Sequence, residues 1–229
     1  MDKKEFVDEL KKLGIEITDE QLEKLDKYYQ LLKEWNEKIN LTRIIDEKDV
    51  YLKHFYDSLS LIKAVQLNND LRLCDVGTGA GFPGMVLKIV FPTLSITLVD
   101  SLLKRINFLN IVIKELKLDK IEAIHTRAED FAKNNQNQFD IVTSRAVANL
   151  PTLSELCIPL VKVGGLFIPM KANCEEEIYN SKDILNKMES QIEKVIEFNL
   201  PIENSHRTLV IIRKNKKTDF KYPKNKKKK

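Results

Sequence analysis

Apolar residues recur every three or four positions early in the chain and gather into short β-branched runs further on. Leu22, Leu25, Tyr28, Leu32, Trp35 and Ile39 mark one face of a helix. Thr18 and Gln21 precede it at capping-box spacing, so each side chain can satisfy a free backbone N–H at the helix start. The polar turn at residues 40–42 ends this helix. A second is expected to follow Asp46 and run past Ser58, with Leu52, Phe55, Tyr56, Leu59 and Ile62 facing inward.

From Leu71 the texture changes. LRLCDV, SITLVD, KIEAIHT, FDIVTS and GLFIPM read as strands, and stretches such as RINFLNIVIKELKL between them read as helices. Strands alternating with helices predict an α/β fold with a mostly parallel sheet covered on both faces. KVIEFNL and RTLVIIRK are separated only by residues 201–206, too few for a crossover helix, and predict an antiparallel hairpin at the sheet edge. The expected organisation is a helical extension over residues 1–65, an α/β domain over 66–214 and a basic, disordered tail over 215–229.

Composition narrows the class. With 43% hydrophobic and 31% charged residues, the chain is ordinary for a globular protein, which excludes wholesale disorder. No apolar run is long enough to span a membrane, and MDKKEFVDEL carries charges where a secretory leader needs an apolar core. A soluble, cytoplasmic protein is expected. Cys74, Cys157 and Cys174 show no CxxC spacing, which argues against a disulfide framework and a zinc site. The net charge of +4 is unevenly placed: residues 213–229 hold ten Lys or Arg and one Asp, leaving −5 on residues 1–212. Such a tail suits a polyanion, nucleic acid first, or serves as a solubilising end.

The densest chemical signal is LCDVGTGAGFPG, residues 73–84, between the first strand and a helix opening near Pro83. Gly77, Gly79 and Gly81 permit positive φ and close approach of a ligand to the backbone. Gly79, Gly81 and Gly84 also satisfy GxGxxG, so an NAD-dependent oxidoreductase is one reading. Asp75 opposes it, because a carboxylate beside the loop repels a pyrophosphate at the helix N-terminus and favours an ammonium or sulfonium group. S-adenosylmethionine carries both and no phosphate. The acid-x-Gly-x-Gly-x-Gly pattern resembles that of class I (Rossmann-like) methyltransferases. Asp100, at the end of the second strand, is placed to reach ribose hydroxyls, which supports a nucleoside without choosing between the cofactors. A P-loop is excluded, since no Gly-Lys-Ser/Thr follows the glycines.

After the fourth strand the chain reads FDIVTSRAVANLP. It has neither the Asn-Pro-Pro-aromatic motif common in exocyclic-amine methylation nor a Pro-Cys nucleophile; Cys157 follows a leucine and reads as packing. An acceptor that is already a neutral nucleophile is therefore expected. Guanine N7 has a free lone pair and no proton, so alignment can supply much of the acceleration. Arg145 is the polar residue best placed at this mouth, where its planar fork can pair with the methionine carboxylate, a phosphate or the guanine edge.

Several segments in fixed order, WNEKINLT, HFYDSL, DVGTGAGFPG, VDSLLKRINFL, RAED, VTSRAVANLPTLSELCIPL, GGLFIPMK and HRTLVIIRK, resemble the RsmG (GidB) family. These enzymes methylate guanine N7 in small-subunit (16S) ribosomal RNA, and the resemblance covers about residues 5–224. It implies S-adenosylmethionine contacts at Gly77, Phe82, Ala128, Glu129 and Arg145, with Asp100 on the ribose; the loop pattern adds Asp75 and Gly79 to the expected cofactor site, and the place of Arg145 at the mouth makes it the expected catalytic residue. The resemblance also implies RNA-facing roles for His54, Lys104, Arg105, Lys171 and Arg207, and no metal. The implied partner is the small ribosomal subunit, with the protein acting as a monomer and no membrane involved. The end departs from the family pattern, since four lysines replace a Gly- and Pro-containing tail. A non-enzymatic RNA-binding module would use the tail and leave the glycine loop unexplained.

Overall fold

The computed structural model describes residues 1–67, 70–145, 147–218 and 223. The chain begins with two capped helices. In α1 (Lys3–Lys12), Asp2 and Glu5 exchange backbone N–H bonds, and in α2 (Asp19–Ile39) Thr18 and Gln21 do the same. Asn40 closes α2 in the left-handed conformation. Asp46 then caps a continuous helical run over residues 47–63 that is π-wound at Val50–Tyr56. The π-turn widens the helix where six of its seven residues are buried.

Among the described residues seven strands follow, β1 (Arg72–Val76), β2 (Ser95–Asp100), β3 (Ile121–His125), β4 (Phe139–Arg145), β5 (Val161–Lys171), β6 (Ser190–Asn199) and β7 (His206–Lys214). Their order across the sheet is β3-β2-β1-β4-β5-β7-β6. The first five run parallel, and β7 is antiparallel to both β5 and β6. The expected hairpin is present, with β7 inserted against β5 so that β6 becomes the edge.

Strand alternation assigns the two faces. Leu73 of β1, with Ile96 and Leu98 of β2, packs under the N-terminal helices and the helices Gly84–Val90 and Leu103–Glu115. Cys74, Val76 and Val99 point the other way, toward the helices Ala128–Asn134, Leu150–Cys157 and Lys182–Lys187. Cys157 is buried packing, as its sequence context suggested. The first core is continuous across residue 65: Leu25, Tyr28 and Leu32 of α2 belong to the same cluster as Met85, Phe108 and Leu109. The helical extension is thus a layer of the domain.

The basic end is tied down further than its composition suggests. Lys214 is buried, and its ammonium donates to Asn137 Oδ1 (2.9 Å) and the carbonyls of Ile158 (3.0 Å), Pro159 (3.2 Å) and Val161 (2.8 Å). Burial without a carboxylate partner pulls its pKa down to about 8. Backbone N–H groups of Asn215 and Lys216 donate to Glu189 O, and Thr218 is buried, which corrects the expectation of a disordered tail from residue 215. The remainder of that tail, except Pro223, lies outside the described residues.

Candidate functional site

Strand order reverses beside β1, whose neighbours are β2 and β4, and ligands of open α/β sheets bind at the carboxyl ends of strands at such a point. A cavity of about 540 Å³ opens there. Its floor is the glycine loop, one wall is Asp100 and the segment 126–129, and the other is Arg145, His54 and Thr42.

Asp75 does not line this cavity. It lies fully buried behind the glycine loop, where Oδ2 accepts from Thr78 Oγ1 (2.7 Å) and from Gly84 N–H (2.9 Å), while Oδ1 has no partner. Burial pushes its carboxyl up to about 6, against the pull of those two bonds and of Arg145. Asp75 therefore shapes the loop from beneath and occupies the helix N–H that a pyrophosphate would need. On the cavity side, Gly79 has φ +63°, and an added Cβ would meet nothing within 4 Å. The loop is braced from the N-terminal layer by Tyr28, whose hydroxyl donates to Ala80 O.

Asp100 reaches the cavity already part-engaged. Oδ2 accepts from Gly79 N–H (3.0 Å) and Arg105 Nη1 (3.1 Å), and Oδ1 accepts from Leu102 N–H (2.9 Å). A carboxylate oxygen can accept twice, so Oδ1 keeps a site for a ligand hydroxyl.

At the other wall, Phe82 carries the His54 ring stacked at 4.3 Å between centroids, with the Arg145 guanidinium 5.3 Å from the Phe82 centroid. Arg145 Nη1 donates to Asp57 Oδ2 (3.0 Å) and Lys53 O (3.0 Å), and Nη2 lies 3.2 Å from His54 Nδ1. Asp57 Oδ1 accepts from Arg207 Nε at 3.0 Å, so one buried carboxylate holds two guanidinium groups. Burial and the neighbouring Arg145 charge push His54 down to about 3, leaving it neutral at physiological pH. Asp57, Thr42 and Tyr28 escaped functional assignment from sequence; the three-residue spacing of His54 and Asp57 on one helix was the available signal for Asp57.

His54 and Arg145 also line a second cavity of about 520 Å³. Lys53, Arg145, Lys171 and Arg207 face Asp57 and Glu177 there, a formal excess of two positive charges. Lys171 pairs with Glu177 (2.8 Å) and donates to Ala148 O (2.8 Å). Of the expected RNA-facing residues, His54, Lys171 and Arg207 thus meet in one place. Arg105 belongs to the first cavity through Asp100, and Lys104 is exposed, outside both linings. Gly77, Phe82, Ala128 and Glu129 all line the first cavity. Among the described residues, no cluster of metal-ligating side chains and no helix long and apolar enough to cross a membrane is present.

This sheet order, with its glycine loop and strand-end acid, defines a class I methyltransferase fold. Solved structures of similar architecture include P. horikoshii TYW2 in complex with MeSAdo (TM-score 0.55, 14% identity, 69% of this chain and 61% of that one). TrmN from Thermus thermophilus is a second (TM-score 0.56, 12% identity, 72% of this chain and 53% of that one). At these identities the likeness concerns the fold alone. The GidB family model, described as rRNA small subunit methyltransferase G, matches residues 21–210, and the chain belongs to that family. Among its relatives is the Ribosomal RNA small subunit methyltransferase G of Bacillus cytotoxicus, 49% identical over 226 residues, 97% of this chain and 95% of that one. That of Bacillus subtilis is 48% identical over the same shares. The protein is therefore a methyltransferase enzyme of ribosomal RNA.

Proposed function

We propose that the protein transfers the methyl group of S-adenosylmethionine to N7 of a guanine in 16S ribosomal RNA, acting as a cytoplasmic monomer on RNA of the small ribosomal subunit. The observation that carries this reading is the joining of the two cavities at Arg145 and His54: one has the form of a nucleoside site, the other an excess of cations suited to phosphate.

The residues of the first cavity fit the cofactor. Its volume lies within the range of small-ligand sites, and the open space before Gly79 admits a ligand against the backbone. Asp100 Oδ1 would accept from a ribose hydroxyl. Ala128, Glu129 and the apolar side chains of Ala148 and Leu156 would surround the base, and Gly77, Phe82 and Arg145 the methionine end. Asp75 would act from behind, holding the loop and setting a negative field under it. When bound, the cofactor supplies a methyl group on a positively charged sulfur.

The chain's own residues then orient the acceptor. His54 is neutral with both ring nitrogens engaged, and Asp57 is held between two arginines, so neither is a free base. An acceptor without a proton to lose suits such a site. Arg145 would hold the acceptor edge while Lys171 and Arg207 neutralise the RNA backbone and fix its approach. Lys104 and Arg105 would extend that contact past the first cavity.

The test is methylation of small-subunit RNA with methyl-labelled cofactor, followed by borohydride reduction and aniline cleavage, which cuts at N7-methylguanine. Scission at one labelled guanine is expected. Label incorporated without aniline-sensitive scission would overturn the N7 assignment.

A further inference from the structure

Beyond β4 the chain turns into the helix Leu150–Cys157, and Val147 and Ala148 of that turn line the first cavity. Val147 reaches the glycine loop, since a Cβ added at Gly77 would lie 2.4 Å from its Cγ2. The position of the turn therefore sets the room left above Gly77. Leu150 is fully buried and Pro151 has no N–H, so the helix start must satisfy the N–H groups of Leu150, Thr152 and Leu153. Asn149 takes two of them, Thr152 N–H through its Oδ1 (3.0 Å) and Leu153 N–H through its carbonyl (3.0 Å). The third partner comes from elsewhere in the chain. Leu150 N–H donates to Glu177 Oε2 at 2.7 Å. The same oxygen pairs with Lys171 Nζ at 2.8 Å, and Lys171 in turn donates to Ala148 O at 2.8 Å.

One carboxylate thus grips the turn at two points, directly at Leu150 and through the β5 lysine at Ala148, the neighbour of Val147. Glu177 itself sits half-buried in the short helix Glu175–Asn180 and lines the second cavity but not the first. It is an acid among Lys53, Arg145, Lys171 and Arg207, where its charge opposes phosphate binding. What it provides there is a fixed wall for the neighbouring cavity. We propose that Glu177 is a positioning residue for methyl transfer, holding residues 147–150 against the glycine loop; this rests on the functional reading above. The Lys171 ammonium has three donors, of which Ala148 and Glu177 use two. A phosphate on the third meets a group already tied to the cavity wall, so docked RNA and the wall beside the cofactor share one lysine.

Glu177→Gln and Glu177→Ala separate positioning from charge. Glutamine keeps an oxygen for Leu150 N–H and loses the ion pair, whereas alanine loses both. Each raises the formal positive excess of the second cavity from two to three. The rate is read in single turnover on small-subunit RNA at saturating RNA and methyl-labelled cofactor, per cofactor-binding site counted by titration calorimetry. Glu177→Ala should lower it about ten- to a hundredfold and Glu177→Gln about three- to tenfold, because small displacements near a reacting centre are costly. Cofactor affinity should stay within about threefold. RNA affinity at low salt should rise about two- to fivefold and lose that gain at high salt. Slower transfer with tighter RNA binding is a pattern that neither a lost fold nor lost docking produces. An unchanged rate in both variants would overturn the proposal and leave Glu177 as a charge of the second cavity. Weaker RNA binding that accounts for the whole loss would also overturn it, as would cofactor affinity falling as steeply as the rate. If Glu177→Ala fails to fold, Glu177→Gln carries the same readouts. Failure of the unaltered protein to produce aniline-sensitive guanine would instead overturn the functional reading itself.

Discussion

The glycine-loop wall of the site and the Arg145–Asp57 joint beside it are assembled from chain segments of very different span. Along the loop, Asp75 binds Thr78 and Gly84, and Asp100 binds Gly79 only 21 residues away. Neighbouring strands β1 and β2 carry both acids, with Asp75 in register with Leu98. At the joint, Asp57 meets Arg145 across 88 residues and Arg207 across 150. The joint exists only when the N-terminal layer, β4 and β7 are all in place. The difference separates two failures: damage at the loop should remove cofactor binding, whereas damage at the joint should remove transfer and some stability while leaving the cofactor cavity largely intact.

The strongest way to break that separation is Gly77→Val. Gly77 has φ +72°, and an added Cβ would lie 2.4 Å from Val147 Cγ2. Cofactor binding should be lost beyond detection by titration calorimetry, with the helical content by circular dichroism retained. Unchanged affinity in a folded variant would remove the loop from the site.

Asp57→Ala comes next. Deleting the shared carboxylate leaves Arg145 and Arg207, both largely buried, without their counter-charge. Breaking such a pair costs about 3–5 kcal/mol, which urea unfolding will read, and transfer at saturating RNA should fall at least about a hundredfold. Cofactor affinity should move only a few-fold; a loss as large as that of Gly77→Val would abolish the distinction between the two regions.

Asp100→Ala sharpens the loop side. It removes one acceptor for ribose and the partner of Arg105, and should weaken cofactor binding by about 1–3 kcal/mol, roughly five- to 150-fold. At saturating cofactor the transfer rate should recover. A variant that unfolds but keeps its affinity on refolding would make Asp100 a structural group only.

The smallest effects are in the pH dependence of stability. His54 is held at about 3, below its ordinary 6.5, so the unfolded chain binds the extra proton and stability falls as pH drops through that window. Asp75 is held at about 6, above its ordinary 3.8, so the folded state binds the extra proton and stability falls as pH rises through that one. The two oppose each other between about pH 4 and 6. His54→Gln should flatten the loss of stability on acidification, and Asp75→Asn should steepen it, both measurable as urea midpoints across the range.

The strand–helix alternation, the cap of α2 and the glycine loop were legible because each depends on residues close in sequence. Thr18 and Gln21 cap α2 as their spacing required, and Asp46 starts the next helical run. Arg145 stands at the end of β4, where the pattern placed it. Asp75 was legible as a charge near the loop but not as a group behind it, since its face of β1 depends on which way the strand alternation meets the helices. Lys214 reads as the start of a basic tail, and only the folded chain brings four oxygen acceptors around its ammonium.

By itself, then, the sequence determined what short-range geometry can encode: the periodicities that make helices and strands, the backbone freedom at the glycines, the acid at the end of β2, and enough ordered motifs to identify the family. The tertiary structure decided which polar groups are paired. His54, Asp57 and Thr42 are ordinary helix and turn residues until β4 delivers Arg145 and β7 delivers Arg207. Asp57 then holds both guanidinium groups, and His54 is stacked on Phe82 with Arg145 Nη2 3.2 Å from its Nδ1. Hydrogen-bond polarity and burial are properties of neighbours in space, and those neighbours are set by a sheet order that joins segments far apart along the chain.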